Sequence, residues 1–188
     1  MRPFHLTCTL TLTFALAASM AGADFEHPGG EVGVLLGGIQ ENVLGESPVI
    51  GGGRVSVHIF RLIDAEAEVS RYPLGGATSL FPATQGLFGV RAGRRFGGLG
   101  IYAKLRPGFM RFDPNLYVPN LGTRPALDAG GIIEFYSRRH LAARIDFGDT
   151  VVWYGSDIVI PPISGIGGNV IARTRHQFQW GLGISVWF

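Results

Sequence analysis

Residues 177–188 read QFQWGLGISVWF, and this stretch decides the fold. Large apolar residues occupy every second position, and polar or small residues lie between them, with Trp187 as the exception. An alternation of period two is typical of a β-strand with one apolar face. The segment is therefore predicted to be a strand whose apolar face carries Phe178, Trp180, Leu182, Ile184, Val186 and Phe188.

The same period recurs upstream in seven further segments, at residues 31–39, 54–59, 64–70, 88–93, 99–109, 127–136 and 141–148. Short connections at 61–62, 94–98 and 137–139 alternate with long ones at 40–51, 73–84, 113–123 and 155–175. No helical period fills the gaps, so neighbouring strands are expected to form antiparallel hairpins. The glycine-rich segments 51–53 and 165–168 are interpreted as flexible loop tips. The pattern predicts an all-β chain folded as an eight-stranded antiparallel up-and-down β-barrel.

Residues 1–23 have the features of a cleaved secretory signal peptide. Arg2 is followed by an apolar run from Leu6 to Ala18 and by the small residues of Ala21-Gly22-Ala23. An uncleaved membrane anchor is the alternative, although the run is short for a bilayer span. The predicted division is therefore a signal peptide at 1–23 and one barrel domain at 24–188.

The composition of the chain is typical of a membrane protein rather than of a soluble domain. Only 16% of the 188 residues are charged, 46% are hydrophobic and 29 are glycine, whereas roughly a quarter of a soluble domain is charged. No stretch after Ala23 is long and apolar enough for a transmembrane helix. The formal net charge is only +2, with no polybasic segment, which argues against a nucleic-acid partner.

Period two alone does not say which face of the barrel points outward. A soluble barrel of the lipocalin type, which stays an alternative, would place the apolar face inside. The sequence favours the inverted, transmembrane arrangement because its polar face is rich in glycine and paired charges, and lysine is almost absent. Aromatic residues near the strand ends also suit two interfacial girdles. They are Tyr72, Phe109, Phe112, Trp153 and Tyr154 toward the long loops, and Phe60, Phe96, Phe135 and Phe188 toward the short turns.

The polar face is expected to form a charge network that closes the lumen. Inward positions carry acids and bases in near balance, and buried charges must pair. The predicted network comprises Arg54, Glu66, Glu68, Arg91, Lys104, Arg106, Glu134, Arg144 and Asp146, with Glu31, Asp64 and Asp128 also pointing inward.

The final strand resembles the C-terminal assembly signal of bacterial outer-membrane barrels, on Trp180, Leu182, Ile184, Val186 and Phe188. Residues 104–109 (KLRPGF) and 144–149 (RIDFGD) are similar to segments of small OmpA-like, porin-family barrels. The resemblance covers nearly all of residues 31–188. It implies a bacterial outer-membrane location, insertion by the barrel assembly machinery, and contact with outer-membrane lipid and lipopolysaccharide.

The preferred function is a monomeric barrel with a structural or surface-interaction role, carried by its long outer loops. The alternatives are a narrow porin for ions or small solutes and a barrel enzyme acting on lipid A or peptides. His140, Asp146, Asp149 and His176 are the only catalytic candidates, and they are interpreted as ion-pair or interface residues. No catalytic, cofactor-binding or metal site is predicted, because the histidines have no ligand spacing. The apolar segments Ile158–Ile163 and Val170–Ile171 are interpreted as a contact surface for lipid or another protein, or else as a loop that folds over the barrel mouth or extends its strands.

Overall fold

A computed structural model describes residues 29–40, 48–73, 82–114, 121–137, 140–155, 158–160, 169–171 and 173–188. These residues form ten strands: β1 (Gly30–Gln40), β2 (Val49–Phe60), β3 (Ile63–Tyr72), β4 (Ala83–Phe96), β5 (Leu99–Phe112), β6 (Thr123–Tyr136), β7 (Leu141–Trp153), β8 (Ile158–Ile160), β9 (Asn169–Ile171) and β10 (Thr174–Trp187). All strands except β8 and β9 close into one antiparallel barrel in the order β1-β10-β7-β6-β5-β4-β3-β2. The predicted eight-stranded up-and-down barrel is confirmed.

The first and last barrel strands close the ring. Val34 of β1 lies opposite Ile184 of β10. The ladder is completed by two backbone hydrogen bonds of 3.0 Å, in which the amides of Gly30 and Phe188 each donate to the carbonyl oxygen of the other residue. Each of the eight barrel strands therefore has a neighbour on both sides, and the barrel as described has no open edge. Within the residues described, no helix has the length and apolar character needed to cross a membrane.

Side chains alternate between the lumen and the outer surface, with the apolar face outside. On β10, Gln177 is 1% exposed, whereas Trp180 is 52% and Ile184 62% exposed. The inverted arrangement expected from the sequence holds along the barrel: most large side chains buried midway along the strands are charged or polar, with Leu35, Leu87 and Ile132 as apolar exceptions.

Several strands extend further toward the long loops than the sequence pattern indicates. β4 begins at Ala83 rather than near Phe88, and β7 ends at Trp153 rather than near Gly148. The inward residues of these extensions are buried and uncharged: Ala83 and Val152 are apolar, and Gln85 and Thr150 are polar. No charged residue marks the inward face here, so the contrast between the two faces that identifies the charged part of the lumen is lost.

The aromatic girdle predicted at the long-loop end is wrong for three of its five residues. Phe109 and Trp153 do lie on the outer face, 43% and 39% exposed. Tyr72, Phe112 and Tyr154 instead point into the lumen and are buried. They fall on inward positions at or just beyond the ends of strands that continue past the polar part of the lumen.

Two of the predicted connections also need correction. Residues 51–53, interpreted as a loop tip, belong to β2. At Gly52 a Cβ would lie 2.2 Å from the carbonyl oxygen of Val69, so β3 can approach β2 this closely only at a glycine. The turn predicted at 94–98 is reduced to Gly97 and Gly98, because β4 continues to Phe96.

The connection between β7 and β10 contains a separate hairpin, in which Ile158 of β8 lies opposite Ile171 of β9. The side chains of this hairpin, and the glycine-rich segment 165–168, lie outside the described part of the chain. The proposed contact surface at this loop therefore stays a prediction.

Candidate functional site

The middle of the lumen is filled by charged side chains from seven consecutive strands, β1 to β7. We call this set the luminal charge cluster; it contains Glu31, Arg54, Asp64, Glu66, Glu68, Arg91, Lys104, Arg106, Asp128, Glu134, Arg144 and Asp146. Eleven of the twelve are at most 9% exposed, and the side chain of Asp146 is 16% exposed. All nine residues that the sequence pattern assigned to a luminal network lie in this cluster, because each occupies an inward position of its strand.

Arg144 is the most enclosed cation of the cluster, with a side chain that is 0% exposed. Its Nη1 donates to Glu66 Oε2 at 2.5 Å, and its Nη2 donates to Asp146 Oδ2 at 2.6 Å. Nη1 also lies 3.4 Å from Glu134 Oε1. These carboxylates belong to β3, β7 and β6, so one guanidinium links strands across the lumen.

Arg106 makes a second set of links. Its Nε and Nη2 donate to Asp128 Oδ2 at 2.8 and 2.5 Å. Its Nη1 donates to Glu66 Oε1 at 2.6 Å and to Glu68 Oε2 at 2.8 Å. Charge-assisted bonds of this length are the strong ones, and the planar guanidinium fixes their directions.

Arg91 and Arg54 extend the cluster to β1 and β2. Arg91 donates to Asp64 Oδ2 at 2.8 Å, to Glu31 Oε2 at 3.1 Å, and to Glu134. Arg54 donates to Glu31 Oε1 at 3.3 Å. The result is a continuous network rather than a set of isolated pairs.

Three carboxylates of the cluster lie close enough together to suggest a cation site. Oxygens of Glu66, Glu68 and Asp146 lie within 4.8 Å of one another. Arginine and lysine already bind these oxygens, with Lys104 on Asp146 and Arg144 on both Glu66 and Asp146. The guanidinium and ammonium groups therefore supply the positive charge that a metal ion would bring.

The long-loop end of the lumen is filled by apolar side chains, which the sequence pattern did not identify. The buried cluster there comprises Leu35, Ile39, Ile50, Tyr72, Ala83, Met110, Phe112, Leu121, Ala126, Val152 and Tyr154. The rings of Phe112 and Tyr154 lie 5.7 Å apart, and the Tyr72 hydroxyl donates to the Met110 sulfur at 2.5 Å. This apolar layer covers the charged one.

The short-turn end is closed by aromatic residues and one arginine. Tyr102 and Tyr136 are buried, with their hydroxyl oxygens 3.1 Å apart. The Arg95 guanidinium lies 3.9 Å from the Tyr136 ring centroid and 5.4 Å from that of Trp187. Trp187, the one large residue on the small and polar face of the last strand, therefore points inward and helps to close this end.

A cavity beside the charge cluster shows how little space remains. It is lined by Arg54, Glu68, Lys104, Arg106 and Asp146, and its volume is about 20 Å³. A cavity of about this size holds one water molecule. In the described part of the chain, side chains thus fill the lumen at three successive levels.

The four catalytic candidates do not converge on one site. Asp146 belongs to the charge cluster, and His140 lies at the short-turn end, with its ring 4.7 Å from that of Trp187. Asp149 and His176 do meet, with Oδ2 and Nδ1 2.5 Å apart on exposed side chains outside the barrel. The sequence pattern gives no sign of this pairing, because the two residues lie on different strands. Among the described residues no hydroxyl group hydrogen-bonds to this histidine, so this part of the chain holds an acid–histidine pair without the nucleophile of a triad.

The residues of the assembly-signal resemblance share the outer face of β10. Trp180, Ile184, Val186 and Phe188 are 51–70% exposed, and Leu182 is half-buried. Their placement puts one continuous apolar stripe beside the closure of the barrel. Whether this stripe is an assembly signal stays a prediction.

Similar folds occur among solved structures. The chain is similar to the N-terminal β-barrel domain of Pseudomonas aeruginosa OprF, with 11% identity, a TM-score of 0.51, and coverage of 84% of this chain and 97% of that chain. It is also similar to Neisserial surface protein A (NspA), with 13% identity, a TM-score of 0.51, and coverage of 85% and 96%. No protein-family model and no curated protein matches the chain. The comparisons show the fold, and at that level they confirm the resemblance to the small OmpA-like barrels.

Proposed function

We propose that this chain is an integral outer-membrane barrel with a closed lumen, and that its role is structural or surface interaction through its long loops. In this proposal residues 1–23 are a cleaved signal peptide, the long loops face outward and the short turns face the periplasm. The barrel assembly machinery inserts the chain as a monomer, and no cofactor is needed.

The outer surface supports insertion in a bilayer. Val34, Val69, Phe88, Ile101 and Ile184 are all at least 50% exposed and come from five strands around the barrel. Exposed apolar area on this scale is unfavourable in water and suits hydrocarbon. Closure of the ring pairs the strand backbone, which hydrocarbon also requires.

The filled lumen is the observation that carries the proposed role. A porin needs a water-filled path, whereas apolar side chains, a charge cluster and an aromatic layer occupy this lumen in turn. An enzyme needs a nucleophile or base that reaches a substrate, and the His176–Asp149 pair has no hydroxyl partner in the described residues. A scaffold that presents loops fits both observations.

The test combines membrane fractionation with single-channel recording. We expect the protein in the outer-membrane fraction, and we expect planar bilayers containing the purified barrel to show no stable nanosiemens openings. Heat-modifiable gel mobility and protease protection of vesicle-inserted protein verify insertion. An absence of channel openings then cannot be attributed to protein that stayed in solution. Stable openings would overturn the closed-lumen proposal in favour of a narrow porin. Recovery as a soluble protein would overturn the membrane location.

A further inference from the structure

Positive charge is concentrated at the short-turn end of the barrel. The three segments that surround these turns, at 59–63, 93–99 and 137–141, contain five arginines and no aspartate or glutamate. The five are Arg61, Arg94, Arg95, Arg138 and Arg139, of which the last two lie outside the described residues. Such an excess is notable in a chain whose formal net charge is only +2.

Arg61 and Arg94 are neighbours on this rim. Arg61 lies in the turn between β2 and β3, next to Leu62, and Arg94 follows Gly93 near the end of β4. The Gly93 amide donates to the Leu62 carbonyl oxygen at 2.9 Å, so the turn lies against this end of β4 and the two arginines are chain neighbours of hydrogen-bonded residues. Both are exposed. No carboxylate of the described residues lies within 4.0 Å of either guanidinium. Adjacent like charges disfavour each other, so an anion bound between them would be stabilising.

Exposed apolar residues surround the two arginines. Phe60, Leu62 and Phe96 are 53–65% exposed, and the Arg94 guanidinium lies 5.7 Å from the centre of the Phe96 ring. This surface continues the apolar outer face of the barrel to its end. Aromatic residues beside cationic ones are typical of the level at which a bilayer changes from hydrocarbon to headgroups.

From this arrangement we infer that the short-turn end binds anionic glycerophospholipid, with Arg61 and Arg94 on its phosphate and Phe60 and Phe96 beside its acyl chains. A guanidinium matches the geometry of phosphate oxygens and keeps its charge at an interface. Each arginine adjoins one member of the hydrogen-bonded pair Leu62 and Gly93, so their long side chains can converge on one phosphate. The inference rests on the proposed membrane insertion and adds a lipid preference to it.

The experiment measures lipid selectivity by electron spin resonance. The full mature barrel is reconstituted in phosphatidylcholine vesicles with a trace of spin-labelled phosphatidylglycerol or spin-labelled phosphatidylcholine. The fraction of motionally restricted label gives the relative association of each lipid with the barrel. We expect phosphatidylglycerol to be preferred, and the Arg61→Gln/Arg94→Gln variant to lose the preference by up to about fivefold for each arginine. High salt should weaken it as well, because the contact lies at the aqueous interface.

Two control variants separate this site from general electrostatics. Arg71→Gln/Arg111→Gln removes two arginines from the opposite end of the outer face, where Arg71 already pairs with Asp113 at 2.5 Å. This variant should keep the preference for phosphatidylglycerol. Arg61→Lys/Arg94→Lys keeps the charge and should retain most of it. An unchanged preference in the Gln variant, or no preference in the wild type, would overturn the inference while leaving membrane insertion intact. Absence of any restricted lipid would instead contradict the proposed insertion.

Discussion

At the residue scale, the ion pairs of Arg144 hold the charge cluster together. Its side chain is 0% exposed and lies among carboxylates of Glu66, Glu134 and Asp146. Arg144→Met keeps much of the volume but leaves these buried carboxylates without their shared cation. We expect the free energy of unfolding to fall by about 3–5 kcal/mol. Urea titration of the barrel refolded in vesicles, followed by tryptophan fluorescence, measures this change.

The ion pair between Arg71 and Asp113 is the matched control at the same scale. Its length is 2.5 Å, but the two side chains are 52% and 35% exposed. Water already solvates both groups, so Arg71→Met should cost less than about 1 kcal/mol. If the two arginine variants lost equal stability, burial would not be what makes the luminal pairs strong.

At the scale of the element, glycine determines how closely neighbouring strands approach each other. A Cβ on Gly130 of β6 would lie 2.1 Å from the carbonyl oxygen of Phe147 and 2.5 Å from the Cα of Gly148. Since the obstacle is backbone, Gly130→Ala must displace β7 and should destabilise the barrel by about 1–3 kcal/mol. Gly53 of β2 is the control, because its Cβ would meet nothing closer than 3.7 Å. Gly53→Ala should be neutral or stabilising by up to about 1 kcal/mol in the same titration; equal losses would show that crowding is not the cause.

Some glycines lie on the outer face of the barrel, opposite large aromatic residues. The sequence pattern had placed glycine in the lumen and at loop tips. Phe109 lies opposite Gly86, Phe147 opposite Gly131, and Trp180 opposite Gly38. At Gly86 a Cβ would fall 2.6 Å from the ring of Phe109, so the ring rests on the glycine. Aromatic residues that cover glycines in this way protect exposed backbone and help to fix the register.

The sequence predicted the parts of the fold that depend on contrast between two faces. Arg106 and Leu105 differ so strongly that their positions inside and outside follow from alternation alone. The apolar layer was missed because Met110 and Phe109 are both apolar, and period two cannot distinguish them. The partners of Arg144 could not be predicted either, since contacts across the lumen depend on shear and tilt of the strands, which no local pattern encodes.

At the scale of the whole molecule, the apolar side chains lie on the outer surface of the barrel. A substitution at Leu105 tests whether a bilayer surrounds this surface. Leu105 lies midway along β5, is 50% exposed, and faces Val90 and Ala129 on the neighbouring strands. If a bilayer surrounds the barrel, Leu105→Arg places a charge near the middle of the hydrocarbon and should cost about 2–4 kcal/mol. Val49, the first residue of β2, is 52% exposed, and Val49→Arg should cost only about 0–1 kcal/mol because an arginine there reaches the interface.

The comparison is informative because the two sites are equally exposed in the isolated protein. In a water-soluble barrel both arginines would be solvated and the two variants would lose similar, small amounts of stability. A depth-dependent difference therefore requires a low-dielectric layer around the middle of the barrel, which only a membrane provides. The measurement is the free energy of unfolding of each variant from vesicles. Equal values for Leu105→Arg and Val49→Arg would contradict the membrane location even if the lumen proved to be closed.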